Sequence, residues 1–282
     1  MAKDQRDGEI EEILRIARRA AAVVLEVYAT PFEVELKGPG DPVTQADRRA
    51  NALICAELEA AFPGEAILAE ESVPEERAEI AARAARRRVF FVDPLDGTRE
   101  FANRNGEFAV MIGLAERGRA ALGVVVLPTT GEALAGRAAG EGGAFLEAAD
   151  GSRRPLRVSA LADPAEATAV VSRSHRPRAI QPMFDRLGVT RVVPCGSVGV
   201  KVARVVTGAA DLYVHAGIGA KLWDACAPEA ILQAAGGRFT DLAGDAIDYA
   251  AGGGRLGLEN GIIASNAALH AAIVEAARAG LG

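Results

Sequence analysis

The order of strand-like and helical segments constrains the fold of this chain more than any other feature of its sequence. Residues 86–94 form a largely apolar run that predicts a strand stopping at Pro94, and residues 107–138 predict three short strands separated by glycine-containing turns. The first half is therefore expected to end in an antiparallel meander. From about residue 156 strand-like and helical patterns alternate, which favours a layered α/β arrangement.

Two helices are predicted before the meander. Residues 8–29 and 44–62 repeat apolar side chains at helical spacing, and Thr44 is a suitable N-cap for the second helix. A loop at residues 37–43 joins the two helices. No internal repeat or low-complexity linker divides the chain, so its parts are expected to pack tightly.

Composition excludes several classes of function. Half of the 282 residues are hydrophobic, which is enough to bury a core, and the net charge of -6 without a basic stripe argues against polymeric nucleic acid as a partner. No run of about 18 apolar residues free of charge occurs, and the N-terminus is charged, so we expect a cytoplasmic protein without a membrane segment. The cysteines Cys55, Cys195 and Cys226 are widely spaced and histidines are few, so a metal site would have to use oxygen ligands.

Acidic side chains stand at the ends of apolar segments. Asp93 ends a predicted strand, where a buried carboxylate is costly unless a positive charge meets it. Pro94 lacks an N–H and turns the chain out of the sheet, so that Leu95 exposes its carbonyl and Asp96 points back toward Asp93. The pair Gly97–Thr98 then opens a short helical turn, whose free N–H groups suit a phosphate oxygen.

Two further acidic elements lie far away in the sequence. Glu70 and Glu71 follow the apolar segment "AIL", and Asp224 follows Trp223 at the start of an apolar helix. Hard divalent cations prefer oxygen ligands, and two ions that share a carboxylate can stabilise both the attacking and the leaving oxygen in phosphoryl transfer. Together the three elements predict a magnesium cluster, although "DPLDG" by itself is equally typical of a solvated turn.

Five short motifs occur in order along nearly the whole chain. They are "DPVTQAD" (41–47), "AEES" (69–72), "DPLDGT" (93–98), "GS" (196–197) and "WDACAPEAILQAAGG" (223–237). This set resembles the lithium-sensitive, magnesium-dependent sugar and nucleotide phosphatases, which include inositol monophosphatase, fructose-1,6-bisphosphatase and the 3'(2'),5'-bisphosphate nucleotidases.

The resemblance implies a fold of the α/β (α+β) class, a layered αβαβα sandwich of the sugar phosphatase, inositol monophosphatase-like type. Residues 1–155 would form an N-terminal α+β half with an antiparallel sheet and most of the metal ligands. Residues 156–282 would form a smaller C-terminal α/β half that contributes Asp224 and substrate-binding residues. The active site would lie between the halves.

The resemblance also implies two or three Mg²⁺ ions at one site. The implied metal ligands are the side chains of Glu70, Asp93, Asp96 and Asp224 and the backbone carbonyl of Leu95. Asp47 and Thr98 would orient and deprotonate the attacking water. Glu71 or Glu70 would help through a further ion. Lys37 matches a family lysine near the site.

The implied substrate contacts lie mainly in the second half. They are Gly97, Thr98, Arg99, His175, Gly196, Ser197 and Lys201. The amides of Gly97 and Thr98 would hold the phosphate, while Ser197, His175 and Lys201 could supply donors for a second phosphate or an adenine. From the residues alone, His175 is as typical of a hydrogen-bonded strand end as of a ligand, and a solvated helix residue is the alternative for Lys201.

The stretch "REFANRNGEFAV" (99–110) resembles the CysQ-type bisphosphate nucleotidases more than the inositol enzymes, as does "VSRSH" (171–175). Gly217 stands where inositol monophosphatases place an acidic residue. This branch implies removal of the 3'-phosphate from adenosine 3',5'-bisphosphate to give AMP and phosphate, with magnesium required and lithium inhibitory.

Two alternatives stay open. An inositol monophosphatase or a broad sugar phosphatase is the first, because the "GSVGVK" loop (196–201) has the length found in the inositol enzymes and "DLYVHAGIGAKLWD" (211–224) is one residue longer than in the nucleotidases. The second, of another class, is a non-catalytic regulatory protein that keeps the fold. Relatives of the family suggest a homodimer that acts on a small phosphorylated substrate.

Overall fold

The structure, a computed structural model, describes residues 2–38, 41–138, 143–173, 180–217 and 219–280. The helices of these ranges are α1 (Ala2–Tyr28), α2 (Gln45–Ala61), α3 (Arg77–Ala84), α4 (Thr98–Ala102), α5 (Gln181–Leu187), α6 (Val198–Val206), α7 (Leu222–Ala234) and α8 (Ala267–Gly280). The strands are β1 (Val34–Gly38), β2 (Asp41–Thr44), β3 (Ala66–Ala69), β4 (Arg88–Asp96), β5 (Ala109–Glu116), β6 (Arg119–Leu127), β7 (Glu132–Arg137), β8 (Ala144–Glu147), β9 (Arg153–Leu156), β10 (Thr168–Ser172), β11 (Arg191–Cys195), β12 (Leu212–His215), β13 (Gly237–Thr240) and β14 (Ile262–Asn266). None of the described helices combines the length and the apolar character that crossing a membrane requires.

The larger sheet has seven strands in the order β3-β4-β5-β6-β7-β8-β9. β3 and β4 are parallel, and every other neighbouring pair is antiparallel, which confirms the predicted meander and extends it by β8 and β9. Side chains alternate between the two faces of a strand, so Phe90 and Val92 face α1 and α2, while Val89 and Phe91 face the opposite side. That opposite side packs against α6 and α7.

Three glycines form a row across the face that meets α7. Gly113 pairs with Gly123, and Gly123 pairs with Gly136 on the next strand. A Cβ at Gly113 would lie 2.6 Å from the backbone nitrogen of Ala227, and one at Gly123 would lie 2.1 Å from the Ala227 carbonyl oxygen. Because these positions have no side chains, α7 lies directly on the backbone of the sheet.

The smaller sheet has five strands in the order β11-β10-β12-β14-β13. β10 is parallel to β11 and β12, whereas β14 is antiparallel to β12 and β13. Ala169 and Val171 face α5 and α8, and Val170 and Tyr213 face the middle helices. The layers are therefore α1–α2, large sheet, α6–α7, small sheet and α5–α8, which confirms the expected αβαβα sandwich of the α/β (α+β) class.

The structure differs from the sequence-based expectation in three places. β4 runs to Asp96 instead of stopping at Pro94, because the ladder with β5 shifts register between Asp93 and Asp96. Pro94 thus lies in a bulge, where no ladder donor is needed. The segment 37–43 is not a plain loop, since β1 and β2 pair across it as a hairpin. The first helix begins at Ala2 and not near residue 8.

The expected boundary between residues 155 and 156 falls at the end of β9. All strands of the large sheet precede residue 157, and all strands of the small sheet follow it. However, α6 and α7 come from the later part of the chain and pack on both sheets. The division into residues 1–155 and 156–282 as separate halves stays a prediction.

Candidate metal centre

Three aspartates from two distant parts of the chain converge between the two sheets. Asp93 and Asp96 lie at the end of β4, and Asp224 lies in the first turn of α7. One carboxylate oxygen from each lies within 4.8 Å of the other two. Oxygen ligands at this spacing suit a hard divalent cation. The structure thus brings together three of the residues predicted to bind magnesium.

Backbone donors fix two of these carboxylates. The N–H of Leu95 donates to Asp93 Oδ1 at 3.0 Å across the bulge that contains Pro94. The N–H of Lys221 donates to Asp224 Oδ2 at 2.7 Å, which closes the first turn of α7. The carboxylates of Asp93 and Asp224 also lie close enough for each to change the pKa of the other.

The third carboxylate is held by the N-terminus of α6. Asp96 Oδ2 accepts the hydroxyl of Ser197 at 2.5 Å and the N–H of Gly199 at 2.7 Å. The Ser197 Oγ in turn accepts the N–H of Val200 at 3.0 Å, so Ser197 is the N-cap of α6. Asp96 therefore links the large sheet to a helix that precedes β12 of the small sheet.

Burial raises the pKa values of the three aspartates, and neighbouring negative charges add to the rise. Burial is the largest cause for each, and the negative charges of Glu70, Asp96 and Asp224 raise the pKa of Asp93 further, to well above its usual range. The pKa of Asp224 rises to about 8, and that of Asp96 is also raised. The cluster without a cation therefore holds protons near neutral pH, and a divalent cation would take their place.

A second acidic pair lies beside this cluster. Glu70 and Glu71 begin the short 3₁₀ turn that follows β3, and Lys37 Nζ on β1 lies 2.8 Å from Glu70 Oε1 and 2.6 Å from Glu71 Oε1. Burial raises the pKa of Glu70 to about 7 even though Lys37 opposes the shift. The charge of Glu70 also raises the pKa of Asp93, but Glu70 is not one of the three carboxylates that lie within 4.8 Å of one another, and its own carboxylate is paired with Lys37.

Asp47 and Thr98 form a hydrogen-bonded pair at the start of two helices. Thr98 Oγ1 donates to Asp47 Oδ1 at 2.9 Å and lies 3.1 Å from the Leu95 carbonyl oxygen. Asp47 Oδ2 accepts both the N–H and the hydroxyl of Thr44 at 2.7 Å, which completes a capping box on α2. Burial raises the pKa of Asp47, although the bonds from Thr44 and Thr98 oppose the rise.

The predicted substrate residues occupy different environments. Gly97 has a φ of 96° and begins α4, in which Arg99 is partly buried. Gly196 packs against Glu100, because a Cβ at Gly196 would lie 2.2 Å from Glu100 Cγ. His175 lies outside the described residues. Its predicted role is therefore not illustrated by the structure.

Lys201 is on the buried side of α6. It is 4 % exposed, and its ammonium lies 5.1 Å from the ring centroid of Tyr213. Burial lowers the pKa of Lys201, and the negative charge of Asp96 opposes this change. The interpretation of Lys201 as a solvated helix residue is therefore wrong, whereas its role at a second phosphate stays a prediction.

One residue beside the site was not predicted from the sequence. Glu107 accepts the N–H of Gly196 at 2.7 Å and thereby connects the start of β5 to the loop that holds Asp96. A signal was available, because Glu107 belongs to the same "RNGEF" segment that carried the resemblance. Its contact with Gly196, however, joins positions 89 residues apart and cannot be derived from local pattern.

The chain is similar in sequence and in structure to known proteins. The model of the "Inositol monophosphatase family" matches residues 8–281. The 3'(2'),5'-bisphosphate nucleotidase CysQ of Salmonella typhimurium is 36 % identical over 85 % of this chain and 93 % of its own length. Among solved structures, the extragenic suppressor protein suhB of Bartonella henselae has a TM-score of 0.80 at 27 % identity, covering 97 % of this chain and 99 % of its own. CysQ of Bacteroides thetaiotaomicron has a TM-score of 0.75 at 26 % identity, covering 92 % of this chain and 97 % of its own.

Proposed function

This chain belongs to the inositol monophosphatase family, and we propose that it hydrolyses the 3'-phosphate of adenosine 3',5'-bisphosphate with bound magnesium, giving AMP and phosphate. The convergence of Asp93, Asp96 and Asp224 within 4.8 Å is the observation that carries the proposal. The similarity to a bisphosphate nucleotidase along 85 % of the chain supports the choice of substrate. The protein is accordingly an enzyme, a phosphoric monoester hydrolase.

The donor set of the centre fits Mg²⁺. All of the candidate side chains offer carboxylate oxygen, the ligand type that hard divalent cations prefer, and neither histidine nor cysteine is among them. The residues that would hold two or three ions are Glu70, Asp93, Asp96 and Asp224, together with the carbonyl of Leu95. When bound, magnesium would supply a water of lowered pKa and positive charge beside the phosphoryl oxygens.

The Asp47–Thr98 pair would act on the attacking water. Because Thr98 donates its hydroxyl hydrogen to Asp47, the lone pairs of Thr98 Oγ1 remain available to accept a hydrogen bond from water. A proton leaving that water can pass through the hydroxyl to the Asp47 carboxylate. The Thr44 donors keep Asp47 in one orientation, so the direction of this transfer is set by the capping box of α2.

The remaining predicted residues would position the substrate. The amide N–H groups of Gly97 and Thr98 would donate hydrogen bonds to the scissile phosphate at the start of α4, next to the aspartates of β4. Arg99, His175, Gly196, Ser197 and Lys201 would contact the nucleotide or its second phosphate. Glu71 would assist through a further ion, with Lys37 as its present ion-pair partner.

An assay of purified protein tests the proposal. With Mg²⁺ present, adenosine 3',5'-bisphosphate should be hydrolysed faster than inositol 1-phosphate and fructose 1,6-bisphosphate, and lithium should inhibit the reaction. Faster turnover of inositol 1-phosphate would favour the inositol monophosphatase alternative. Absence of hydrolysis of all three, with or without Mg²⁺, would contradict the assignment as a phosphatase.

The proposal also includes a stoichiometry. We expect two or three Mg²⁺ ions per chain and a homodimer, with no polymeric nucleic acid bound. Isothermal titration calorimetry with MgCl₂ counts the ions, and sedimentation analysis of the full chain gives the oligomeric state. A single bound ion would contradict the expected stoichiometry, and a monomer would contradict the expected homodimer. Neither result would bear on the proposed reaction.

A further inference from the structure

Glu107 joins the two sheets at the edge of the metal centre. Its carboxylate Oε2 accepts the N–H of Gly196 at 2.7 Å, and its side chain is only 15 % exposed. Its backbone lies against the site as well, because a Cβ at Gly97 would be 2.9 Å from the Glu107 carbonyl oxygen. The same residue therefore contacts both the start of α4 and the loop that precedes α6.

Arg173 at the end of β10 completes the arrangement. Its Nε lies 2.9 Å from Glu107 Oε2 and its Nη2 lies 2.7 Å from Glu107 Oε1. The same Nη2 donates to the carbonyl of Pro194 at 3.0 Å, and the Arg173 N–H donates to the carbonyl of Cys195 at 3.0 Å. A bidentate ion pair of this kind is strongly directional, so residues 194–196 are held from two sides.

The charge state of Glu107 suits this role. Burial raises the pKa of Glu107, but the hydrogen bonds from Arg173 and Gly196 outweigh burial and lower it below the usual value. Glu107 is therefore ionised at neutral pH, and its pair with Arg173 persists across the physiological range.

The residue that follows Gly196 is strained. Ser197 has a φ of 55° and a ψ of 136°, a conformation that is unfavourable for a residue with a Cβ. Such a conformation persists only where the surroundings determine it. Here the Glu107 carboxylate accepts the N–H of Gly196, the residue before Ser197. The Ser197 hydroxyl donates to Asp96 and accepts the N–H of Val200, so both the backbone before Ser197 and its side chain are fixed.

We infer that Glu107 is a positioning residue of the metal centre: by holding the Gly196 N–H it keeps Ser197 in the strained conformation that directs its hydroxyl to Asp96. Glu107 itself would not contact the reacting atoms. It acts through Ser197 on the orientation of a metal ligand, and the inference rests on the proposed function only in taking Asp96 to be such a ligand.

The effect of removing Glu107 should appear in metal affinity. Glu107→Ala should weaken Mg²⁺ binding by about tenfold, because loss of a group that orients a metal ligand typically costs 10- to 100-fold in affinity. The fluorescence of Trp223, the single tryptophan of the chain, reports on binding, since Trp223 is 93 % buried and adjacent to Asp224. Titration with MgCl₂ gives a midpoint that needs no knowledge of the substrate.

Glu147→Ala is the matched control. Glu147 on β8 is 11 % exposed and accepts bonds from Arg18 and Arg153, so it resembles Glu107 in burial and pairing. Its partner Arg18 lies on α1, and β8 is separated from β5 by β6 and β7. Both variants should lower the melting temperature, but only Glu107→Ala should shift the Mg²⁺ midpoint.

A second variant keeps the test decisive if Glu107→Ala does not fold. Glu107→Asp retains the charge beside Arg173 but is one methylene too short to reach the Gly196 N–H, so it should also raise the Mg²⁺ midpoint. An unchanged midpoint in the folded variant would overturn the inference. If the wild-type protein itself showed no Mg²⁺-dependent change in fluorescence and no Mg²⁺-dependent hydrolysis, the proposed function would fail instead.

Discussion

The carboxyl group of Asp93 is surrounded by acidic neighbours and almost fully buried, and both conditions raise its pKa. The same group is proposed to bind the cation. A neutral replacement should therefore lower the activity without lowering the stability of the metal-free protein. This pattern is expected where a functional residue destabilises the fold around it.

Asp93→Asn tests this opposition. We expect the rate of hydrolysis to fall on the order of a thousandfold, because positive charge at the phosphoryl group would be lost. In EDTA at pH 8 the melting temperature should be equal to or higher than that of the wild type, since Asn neither carries a repelled charge nor has to take up a proton to avoid one. Differential scanning fluorimetry and the phosphate-release assay measure the two effects. A large loss of metal-free stability would contradict the role assigned to Asp93.

Glu229 gives a pH prediction away from the metal centre. It is 2 % exposed in α7, accepts the hydroxyl of Tyr249 at 2.6 Å and the amide of Gln233 at 2.7 Å, and has its pKa raised by burial to about 7. A raised pKa stabilises the fold below the unfolded-state value, and this contribution is lost as the pH rises through 7.

Glu229→Gln should remove that pH dependence. Relative to the wild type, the variant should gain stability between pH 5 and pH 8, by at most about 3 kcal/mol for the shift from 4.5 to about 7. Chemical denaturation in EDTA at several pH values gives the difference. A constant difference in the free energy of unfolding across this range would show that Glu229 is already ionised at pH 5.

Much of the candidate site could be predicted from the sequence, because its aspartates belong to motifs that end apolar segments. The hydrogen bonds that fix them could not. The strained Ser197 and the buried Lys201 depend on contacts between α6 and distant strands, and periodicity on one helix does not reveal which distant group will meet it.

The packing of α7 on the large sheet determines where Asp224 lies. The row formed by Gly113, Gly123 and Gly136 lets the helix approach the strand backbone, as a Cβ at Gly123 would lie 2.1 Å from the Ala227 carbonyl oxygen. A side chain in this row must push the helix away. The position of Asp224 relative to Asp93 should change with it.

Gly123→Ala tests this dependence. We expect a loss of about 1–3 kcal/mol or more in stability from overpacking and a weaker Mg²⁺ affinity. Gly8→Ala is the control, since no atom lies within 4 Å of a Cβ at Gly8 in α1, and it should stabilise the protein by about 0.5–1 kcal/mol. Equal Mg²⁺ midpoints for Gly123→Ala and the wild type would show that the distance between α7 and the sheet does not determine Mg²⁺ affinity.

At the level of elements, the helical and strand-like patterns predicted α2, α7, β10, β11 and the meander, because each has a clear apolar period. The path of β4 through Pro94 was not predicted, since a bulge is defined by its partner strand. The layer occupied by α7 was also not predictable. The helix is buried on nearly all sides, so its sequence has no polar face that would indicate an orientation.

The molecule as a whole should be stabilised by its cation, because the candidate ligand Asp96 lies on β4 of the large sheet and Asp224 lies on α7 in the next layer. A ligand that binds only the native state adds stability with concentration, about 2.7 kcal/mol at 100 times its dissociation constant. The melting temperature should therefore rise with MgCl₂ and fall again in EDTA. Asp224→Asn should abolish most of this rise, and an undiminished rise would place the cation elsewhere.

Helices α6 and α7 fill the space between the two sheets and pack on both of them. A gene truncated after residue 155 would leave the flat glycine row exposed to water, and its product would be prone to aggregate. The later fragment would in turn carry α7 without the surface that receives it. We therefore expect a nick between the sheets to be tolerated only while both pieces stay together, and neither piece to fold as a free-standing unit.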